Sequence, residues 1–221
     1  MHPILFTHQS AEKHQVPRGH PERPERMQAL GPILAERATI WQSEIAPEAR
    51  HEQLQLVHPD SYLNWIYEQA GAVKDAENLV SLDPDTWAGP DSLTAARRGA
   101  GAACAGVDRL MGGESLRVFS AMRPPGHHAE PEKAMGFCLF LMQQLQQNMR
   151  AKPIILPALL YLILMSITAM ARKPPFMVMA IYIMHPPTRC RFIPELGQLM
   201  RRAAVISLTI RLPLVQGALS F

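Results

Sequence analysis

Apolar residues in the first 140 positions form short blocks separated by polar turns, a spacing that predicts alternating strands and helices. Ile4, Leu5 and Phe6 form an apolar run that ends at polar residues, which predicts a first strand at residues 4–7. A second strand is predicted at residues 116–121, where an apolar run ends at two consecutive prolines. The alternation favours an α/β domain.

Two helices are predicted in the first third of the chain. The first opens at about Pro24, because proline is tolerated in the first helical turn, and Leu30, Ile33 and Leu34 give it one apolar face. The second is a short helix that begins within residues 46–49 and continues towards residue 58.

Two further helices are predicted with a start and a stop signal each, at residues 61–70 and 92–111. Asp60 and Asp91 precede these segments, and aspartate is a favoured N-cap because its carboxylate accepts backbone N–H groups. Glycines follow both segments and are typical helix stops. The second helix is rich in alanine and glycine, so it can lie very close to a sheet.

Composition changes abruptly near residue 140. Residues 1–140 carry 13 Lys/Arg and 18 Asp/Glu, whereas residues 141–221 carry 9 and 1, so the net charge of +3 describes neither part. The second part has no Asp or Trp, and it contains eight of the 13 Met but only two of the 13 Gly. Such a change indicates either a domain boundary or a change in the coding text.

The tail can be interpreted in two ways if it is taken literally. Its basic charge could indicate a nucleic-acid or anionic-membrane arm, but the other composition changes favour a different cause, and we expect no nucleic-acid partner. Residues 154–171 form an uncharged, largely apolar run of 18 residues that is interrupted by Pro157. A run of this length is a membrane-spanning candidate. The alternative hypothesis is therefore that an incomplete N-terminal domain is fused to a membrane-anchoring or partner-binding tail.

Cysteine use and the first residues predict a cytoplasmic location. Cys104, Cys138 and Cys190 are odd in number and contain no Cys-x-x-Cys pair, so neither a disulfide framework nor a cysteine zinc site is indicated. The first residues lack the basic start and apolar core of a signal peptide.

Candidate chemistry lies where the second predicted strand ends. Pro124, Pro125 and Gly126 stop the strand and lead directly into His127 and His128. Ligands of open α/β sheets bind beyond the carboxyl ends of the strands, and histidine is a common general acid or base. Adjacent histidines in a loop are also often plain surface residues, so the residue types alone leave both interpretations open.

The residues that flank the histidines favour a catalytic role. Arg-Pro-Pro-Gly-His-His-Ala at residues 123–129, followed by Gly-Phe-Cys at 136–138, resembles the active-site segment of the zinc-dependent histone deacetylase and acetylpolyamine amidohydrolase family, especially its class II-like bacterial members. His-Pro-Glu-Arg-Pro-Glu-Arg at residues 20–26 and His-Pro-Asp-Ser-Tyr at 58–62 are similar to other segments of that family. The resemblance implies that residues 1–140 are the N-terminal part of an arginase/deacetylase-like fold, with a parallel sheet in three layers.

The resemblance also implies a reaction, the hydrolysis of acetyl-lysine or acetylpolyamine amides. In the family, zinc bound by two aspartates and a histidine polarises the acetamide carbonyl and activates water, while two adjacent histidines act as general base and general acid. His127 and His128 match that histidine pair. Zinc is therefore expected for an intact member.

Further residues are expected to line the substrate site by the same resemblance. Gly136 and Phe137 match the walls of the family's narrow channel, and Arg26 matches an arginine near that channel. Asp83 and Asp85 lie in an acidic turn that compares with the family's substrate-holding rim, although carboxylates in such a turn more often stabilise the turn itself.

The zinc ligands of the family are missing from the 221-residue sequence, but another reading frame permits them. In that frame each new codon consists of the last base of one residue's codon and the first two bases of the next. The codons of residues 162–173, read in this way, can encode Asp-Phe-Asp-Val-His-His-Gly-Asn-Gly-Thr-Gln, which is a zinc-ligand motif of the family. Residues 185–198 likewise permit Ser-Thr-His-Gln-Met-Pro-Leu-Tyr-Pro-Gly-Thr-Gly-Ala. Because methionine has a single codon, two positions are fixed in the shifted frame. The pair Met170-Ala171 can then encode only Gly and the pair Met142-Gln143 only Ala, and the family pattern has these residues at both positions.

These matches predict a frame change at about residues 140/141. Residues 141–221 are then an aberrant, out-of-frame apolar tail with no domain of its own. The 221-residue product is expected to hold no zinc and to be inactive.

Overall fold

The computed structural model describes residues 2–149, apart from 37 and 76. The apolar run at 154–171, the predicted tail beyond residue 149 and Cys190 lie outside the described residues. None of the described helices combines the length and the apolar character that a membrane crossing requires.

A parallel sheet of three strands forms the centre of the described part of the chain. Its strands are β1 (Ile4–Thr7), β2 (Gln42–Ile45) and β5 (Val118–Ala121), in the order β2-β1-β5. Ile4 is in register with both Gln42 and Val118. The strand predicted at residues 4–7 is confirmed, and the one predicted at 116–121 is confirmed with a later start. The α/β fold class with a parallel sheet is confirmed as well.

The sequence pattern did not predict β2, because this strand lies at the edge of the sheet and carries Gln42, Ser43 and Glu44. Most of its side chains are exposed, so no apolar alternation marks it. It is held instead by backbone hydrogen bonds to β1 and its flanks, for example from Gln42 N to the carbonyl of Pro3 (2.8 Å).

The described helices are α1 (Ser10–Lys13), α2 (Glu25–Glu36), α3 (His51–Leu54), α4 (Asp60–Gly71), α5 (Ser92–Met111) and α6 (Met142–Met149). The helices predicted from about residue 24, at 61–70 and at 92–111 are thus confirmed. The helix predicted from 46–49 towards 58 is confirmed only as the single turn of α3.

Neither predicted aspartate cap forms a side-chain cap hydrogen bond. Pro59 occupies the N-cap position of α4, and the Asp60 carboxylate instead lies 2.9 Å from Nε2 of His51. Asp91 does occupy the N-cap position of α5, but its backbone (φ −98°, ψ 4°) is not extended and its side chain forms no cap hydrogen bond. The side chain of Ser92 bonds the loop here, because its Oγ accepts from the N–H of Gly89 (2.6 Å).

A two-stranded hairpin surrounds the acidic turn. β3 (Val80–Asp83) and β4 (Thr86–Ala88) pair antiparallel with an irregular register at the turn. The turn at residues 82–86 was predicted, but its strands were not, because they are only three or four residues long. The hairpin fixes the place of Asp83 and Asp85 relative to the rest of the domain.

Helix α5 packs centrally in the domain, as its small residues allow. Its residues Ala96, Ala100, Ala103, Cys104 and Val107 belong to a core cluster with Leu63 and Ile66 of α4 and with Leu139 and Phe140. A Cβ at Gly106 would lie 3.1 Å from the Val118 side chain, so the predicted close approach of this helix to the sheet is confirmed. Met142 and Leu145 of α6 are buried in the same cluster.

Substitution of Gly101 by alanine is expected to destabilise the domain by about 1–3 kcal/mol. An added Cβ would lie 2.1 Å from the Pro47 carbonyl oxygen and 2.6 Å from the Ala49 nitrogen, and backbone atoms cannot move aside cheaply. Gly71→Ala is the matched control, because its nearest neighbour would be a Leu93 methyl at 3.9 Å. We expect the urea midpoint to fall for the first variant and to hold or rise for the second. Equal midpoints would contradict the packing of α5.

Candidate functional site

The two predicted catalytic histidines lie in the loop that leaves the carboxyl end of β5. The strand ends at Ala121, and the Arg123–Pro124 peptide that follows is cis. His127 is half-buried and His128 is exposed, with their ring centroids 4.2 Å apart and the ring planes inclined by 51°. The loop therefore presents two imidazoles in contact at the edge of the sheet.

His127 is held in its neutral form. Burial, together with the neighbouring His128 ring, lowers the pKa of His127 to about 4. Both of its ring nitrogens are enclosed, and neither has a hydrogen-bond partner among the described residues. At neutral pH His127 is therefore an uncharged imidazole.

The wall residue Gly136 lies directly against His128, and Phe137 follows it in the chain. A Cβ at Gly136 would come within 2.4 Å of the His128 Cβ, and both wall residues have positive φ, 57° and 69°. The hairpin turn holds this backbone, because Gly136 N–H donates to the Asp85 carboxylate (3.1 Å) and Phe137 N–H donates to Thr86 Oγ1 (3.0 Å). Asp85 is thus brought to the predicted site as a support of the wall.

Cys138 and His58 are buried residues that bond the backbone of the histidine loop and of the segment after it. Cys138 is buried, its sulfur accepts from the His128 N–H (3.4 Å), and burial raises the pKa of its thiol to about 11. His58 is buried as well; its Nδ1 lies 2.7 Å from the Pro131 carbonyl and its Nε2 accepts from Leu141 N–H (3.0 Å). Both residues therefore pack beneath the site rather than face a substrate.

His20 also lies beside the wall, although the sequence did not single it out as a site residue. Its ring meets Phe137 edge-on at a centroid distance of 4.8 Å, and its Nε2 lies 3.1 Å from the Asp85 carbonyl oxygen. It begins the His-Pro-Glu motif, which was the one feature of the sequence that could have drawn attention to it.

The other two predicted substrate residues have different surroundings. Arg26 is buried, and burial lowers its pKa to about 10, with the nearby Arg123 acting in the same direction. Its Nε and Nη2 have no hydrogen-bond partner among the described residues. Asp83 lies 3.4 Å from the Lys133 ammonium. Asp83 therefore pairs with the segment after the histidines, whereas Arg26 belongs to the buried layer around Arg123.

A buried ion pair lies beneath the histidine loop. The Arg123 guanidinium bonds both carboxylate oxygens of Glu22, through Nε and through Nη2 (2.7 Å). Nε2 of His14 lies 3.3 Å from the same carboxylate, and its Nδ1 lies 2.6 Å from Ser92 Oγ. Burial alone would raise the pKa of Glu22, but His14 and Arg123 together lower it to about 2. Burial lowers the pKa of His14.

The residues described by the structure do not fit a zinc ion. Across residues 2–149, apart from 37 and 76, no three His, Cys, Asp or Glu side chains are grouped so that they could hold a metal. The last aspartate of the 221-residue sequence is Asp108. A catalytic zinc usually takes three protein ligands, and the described residues bring together two imidazoles without such a set.

Comparison with known proteins identifies the class to which this fold and site belong. The family model of the histone deacetylase domain matches residues 20–145, more than half of the chain, and the chain therefore belongs to the histone deacetylase family. The crystal structure of the HDA15 HD domain superposes with a TM-score of 0.59 at 27% identity, covering 66% of this chain and 43% of that one.

Individual relatives include deacetylases with different named substrates. The histone deacetylase-like amidohydrolase of Pseudomonas aeruginosa is 40% identical over 124 residues, which is 55% of this chain and 31% of the relative. The polyamine deacetylase HDAC10 of Homo sapiens is 34% identical over 122 residues, or 54% and 18%. The chain thus spans a third or less of the length of these curated relatives.

Proposed function

We propose that this chain carries the proton-transfer half of a zinc-dependent amide hydrolase that deacetylates acetyl-lysine or acetylpolyamine substrates. The observation that carries this proposal is the contact between half-buried His127 and exposed His128 at the end of β5, with Gly136 lying against His128. Membership of the histone deacetylase family supports the same reaction class.

The histidine pair suits the two proton movements of amide hydrolysis. One group must take a proton from the attacking water, and one must give a proton to the departing amine, because an unprotonated amine anion leaves poorly. The low pKa of His127 keeps its ring unprotonated at neutral pH, which is the form that a general base requires. His128, whose ring touches His127 and is exposed, lies where a substrate amide can reach it.

The wall is suited to a narrow acyl chain. Positive φ at Gly136 and Phe137 turns the backbone so that Gly136 lies against His128, while the Phe137 ring is braced edge-on by His20. The Phe137 ring, next in the chain to the glycine that lies against His128, offers a flat aromatic surface to the slim methylene arm of an acetyl-lysine or an acetylated polyamine. Relatives named for histones and for polyamines support testing both substrate classes.

We further propose that the 221-residue chain is inactive because its reading frame changes at about residues 140/141. The described residues do not fit zinc, and no step of hydrolysis is assigned to a metal in this chain. The alternative frame of residues 162–173 permits Asp-Phe-Asp-Val-His-His-Gly-Asn-Gly-Thr, in the order and spacing that the family's zinc motif requires. The test compares zinc content and deacetylation of this chain with those of a frame-restored protein.

A further inference from the structure

The ion pair of Glu22 and Arg123 joins the histidine loop to the N-terminal part of the chain. Arg123 lies four residues before His127, whereas Glu22 belongs to the His-Pro-Glu loop, about a hundred residues away in the sequence. We infer that Glu22 and Arg123 are positioning residues, whose pairing fixes the loop that presents His127 and His128. The inference rests on the proposed role of that pair in proton transfer.

The guanidinium of Arg123 has little freedom to move. Besides the two bonds to Glu22, its Nη1 donates to the carbonyl oxygens of Ala11 (2.6 Å) and His14 (3.2 Å). A planar guanidinium that bonds a carboxylate with two parallel N–H groups fixes both distance and orientation. Because Arg123 precedes the loop directly, these bonds set the direction in which the loop leaves the sheet.

Glu22 connects the same anchor to the wall of the site. Its backbone N–H donates to Nδ1 of His20 (3.1 Å), and His20 in turn contacts Phe137 and the Asp85 carbonyl. One short segment, residues 20–22, therefore touches the histidine loop through Arg123 and the channel wall through Phe137. The spacing between the histidines and the wall is set on both sides by this segment.

The energetics of buried ion pairs favour a positioning role over a purely stabilising one. Glu22 and Arg123 side chains are 2% and 3% exposed, and removing two charges from water costs about as much as their attraction returns. Apolar side chains of similar volume would stabilise such a core at least as well. What apolar side chains would not supply is the fixed geometry of the hydrogen bonds.

The test measures the titration of His127 in the full 221-residue chain by NMR of ¹⁵N-labelled histidine rings. In the parent chain His127 should titrate near pH 4. In Glu22→Gln the released loop should expose the ring, so its pKa should rise by about two units towards the ordinary histidine value of about 6.5. The contact between the rings of His127 and His128 should be lost as well.

The direction of this shift separates positioning from simple electrostatics. Removing the negative charge of Glu22 without moving the loop would lower the pKa of His127 or leave it unchanged, because a nearby anion favours the protonated ring. A fall, or no change, in a folded Glu22→Gln chain would therefore overturn the inference. A rise would support it.

Two further variants make every outcome decisive. Glu22→Gln/Arg123→Met removes both charges of the pair, so that neither partner is left as an unpaired ion, and it should give the same rise in a folded chain. Glu44→Gln breaks an ion pair with Arg109 two strands away from β5 and should leave His127 unchanged. Loss of dispersed amide signals in both Glu22 variants would show a general stabilising role and would overturn the inference.

This readout does not depend on zinc or on catalysis. If a frame-restored enzyme proves inactive while the His127 shift is observed, the proposed function fails and the positioning role remains. If that enzyme is active while the pKa of His127 does not change in the Glu22 variants, the positioning role fails and the proposed function remains.

Discussion

A protein translated from the same coding DNA with the frame changed after Phe140 is expected to bind one zinc ion per chain and to deacetylate acetylated substrates. The 221-residue chain is expected to do neither. The physical reason is that histidines can move protons, but amide hydrolysis by this route also needs a Lewis acid and the water that it activates. The described residues supply His127 and His128 but no group of three metal ligands.

Zinc content measured by plasma mass spectrometry, and acetate release from an acetyl-lysine peptide and from acetylspermidine, would check this expectation. Both proteins should be purified with the same zinc supplement, so that the comparison isolates the sequence after residue 140. The proposal fails if the 221-residue chain itself binds one zinc tightly and releases acetate, or if the frame-restored protein binds none.

The second large effect concerns the histidine pair in that frame-restored protein. His127→Ala and His128→Ala are each expected to lower kcat by about 10²–10⁴-fold, the usual contribution of a positioned acid or base. Zinc content should remain at one per chain, because the pair is assigned to proton transfer. The double variant should lose much less than the product of the two single losses, since the rings act as one unit.

His51→Ala serves as the matched control. His51 also lies near a carboxylate and an aromatic residue, at 2.9 Å from Asp60 and 3.3 Å from the Tyr67 hydroxyl, but on the surface formed by α3 and α4. Its loss should leave kcat unchanged. Loss of zinc from either His127→Ala or His128→Ala would contradict the assigned role, because it would make that histidine a metal ligand.

Local patterns predicted those parts of the fold that are decided by nearby residues. The bounds of β1 and α5 are as predicted, because an apolar run and an alanine-rich helix ended by glycines are self-contained patterns. The strand β2 was missed because its residues are mostly polar and its stability comes from pairing with β1, a partner more than thirty residues away. The aspartate caps failed because Asp60 lies inside its helix and bonds His51 and Gln55, while the Asp91 side chain forms no cap hydrogen bond.

In the candidate site, too, features formed by adjacent residues could be predicted and features formed by distant residues could not. The histidine loop could be found from residues 123–138, because its prolines, glycines and histidines are adjacent in the sequence. The bonds from Glu22 to Arg123 and from Asp85 to Gly136 join segments separated by 101 and 51 residues, and no local pattern encodes them. His20 is not marked in the sequence for the same reason, because its link to the site is a ring contact with Phe137, which is more than a hundred residues away.

The coding DNA of residues 138–200 is the measurement that tests the frame change most directly. Read in the alternative frame, it should encode Asp-x-Asp-x-His-His-Gly-Asn-Gly-Thr across codons 162–172 and Ser-Thr-His-Gln across codons 185–189, without an intervening stop. A stop codon between these segments, or wobble bases that give other residues at the aspartate and histidine positions, would contradict the frame change and leave the tail as genuine coding sequence.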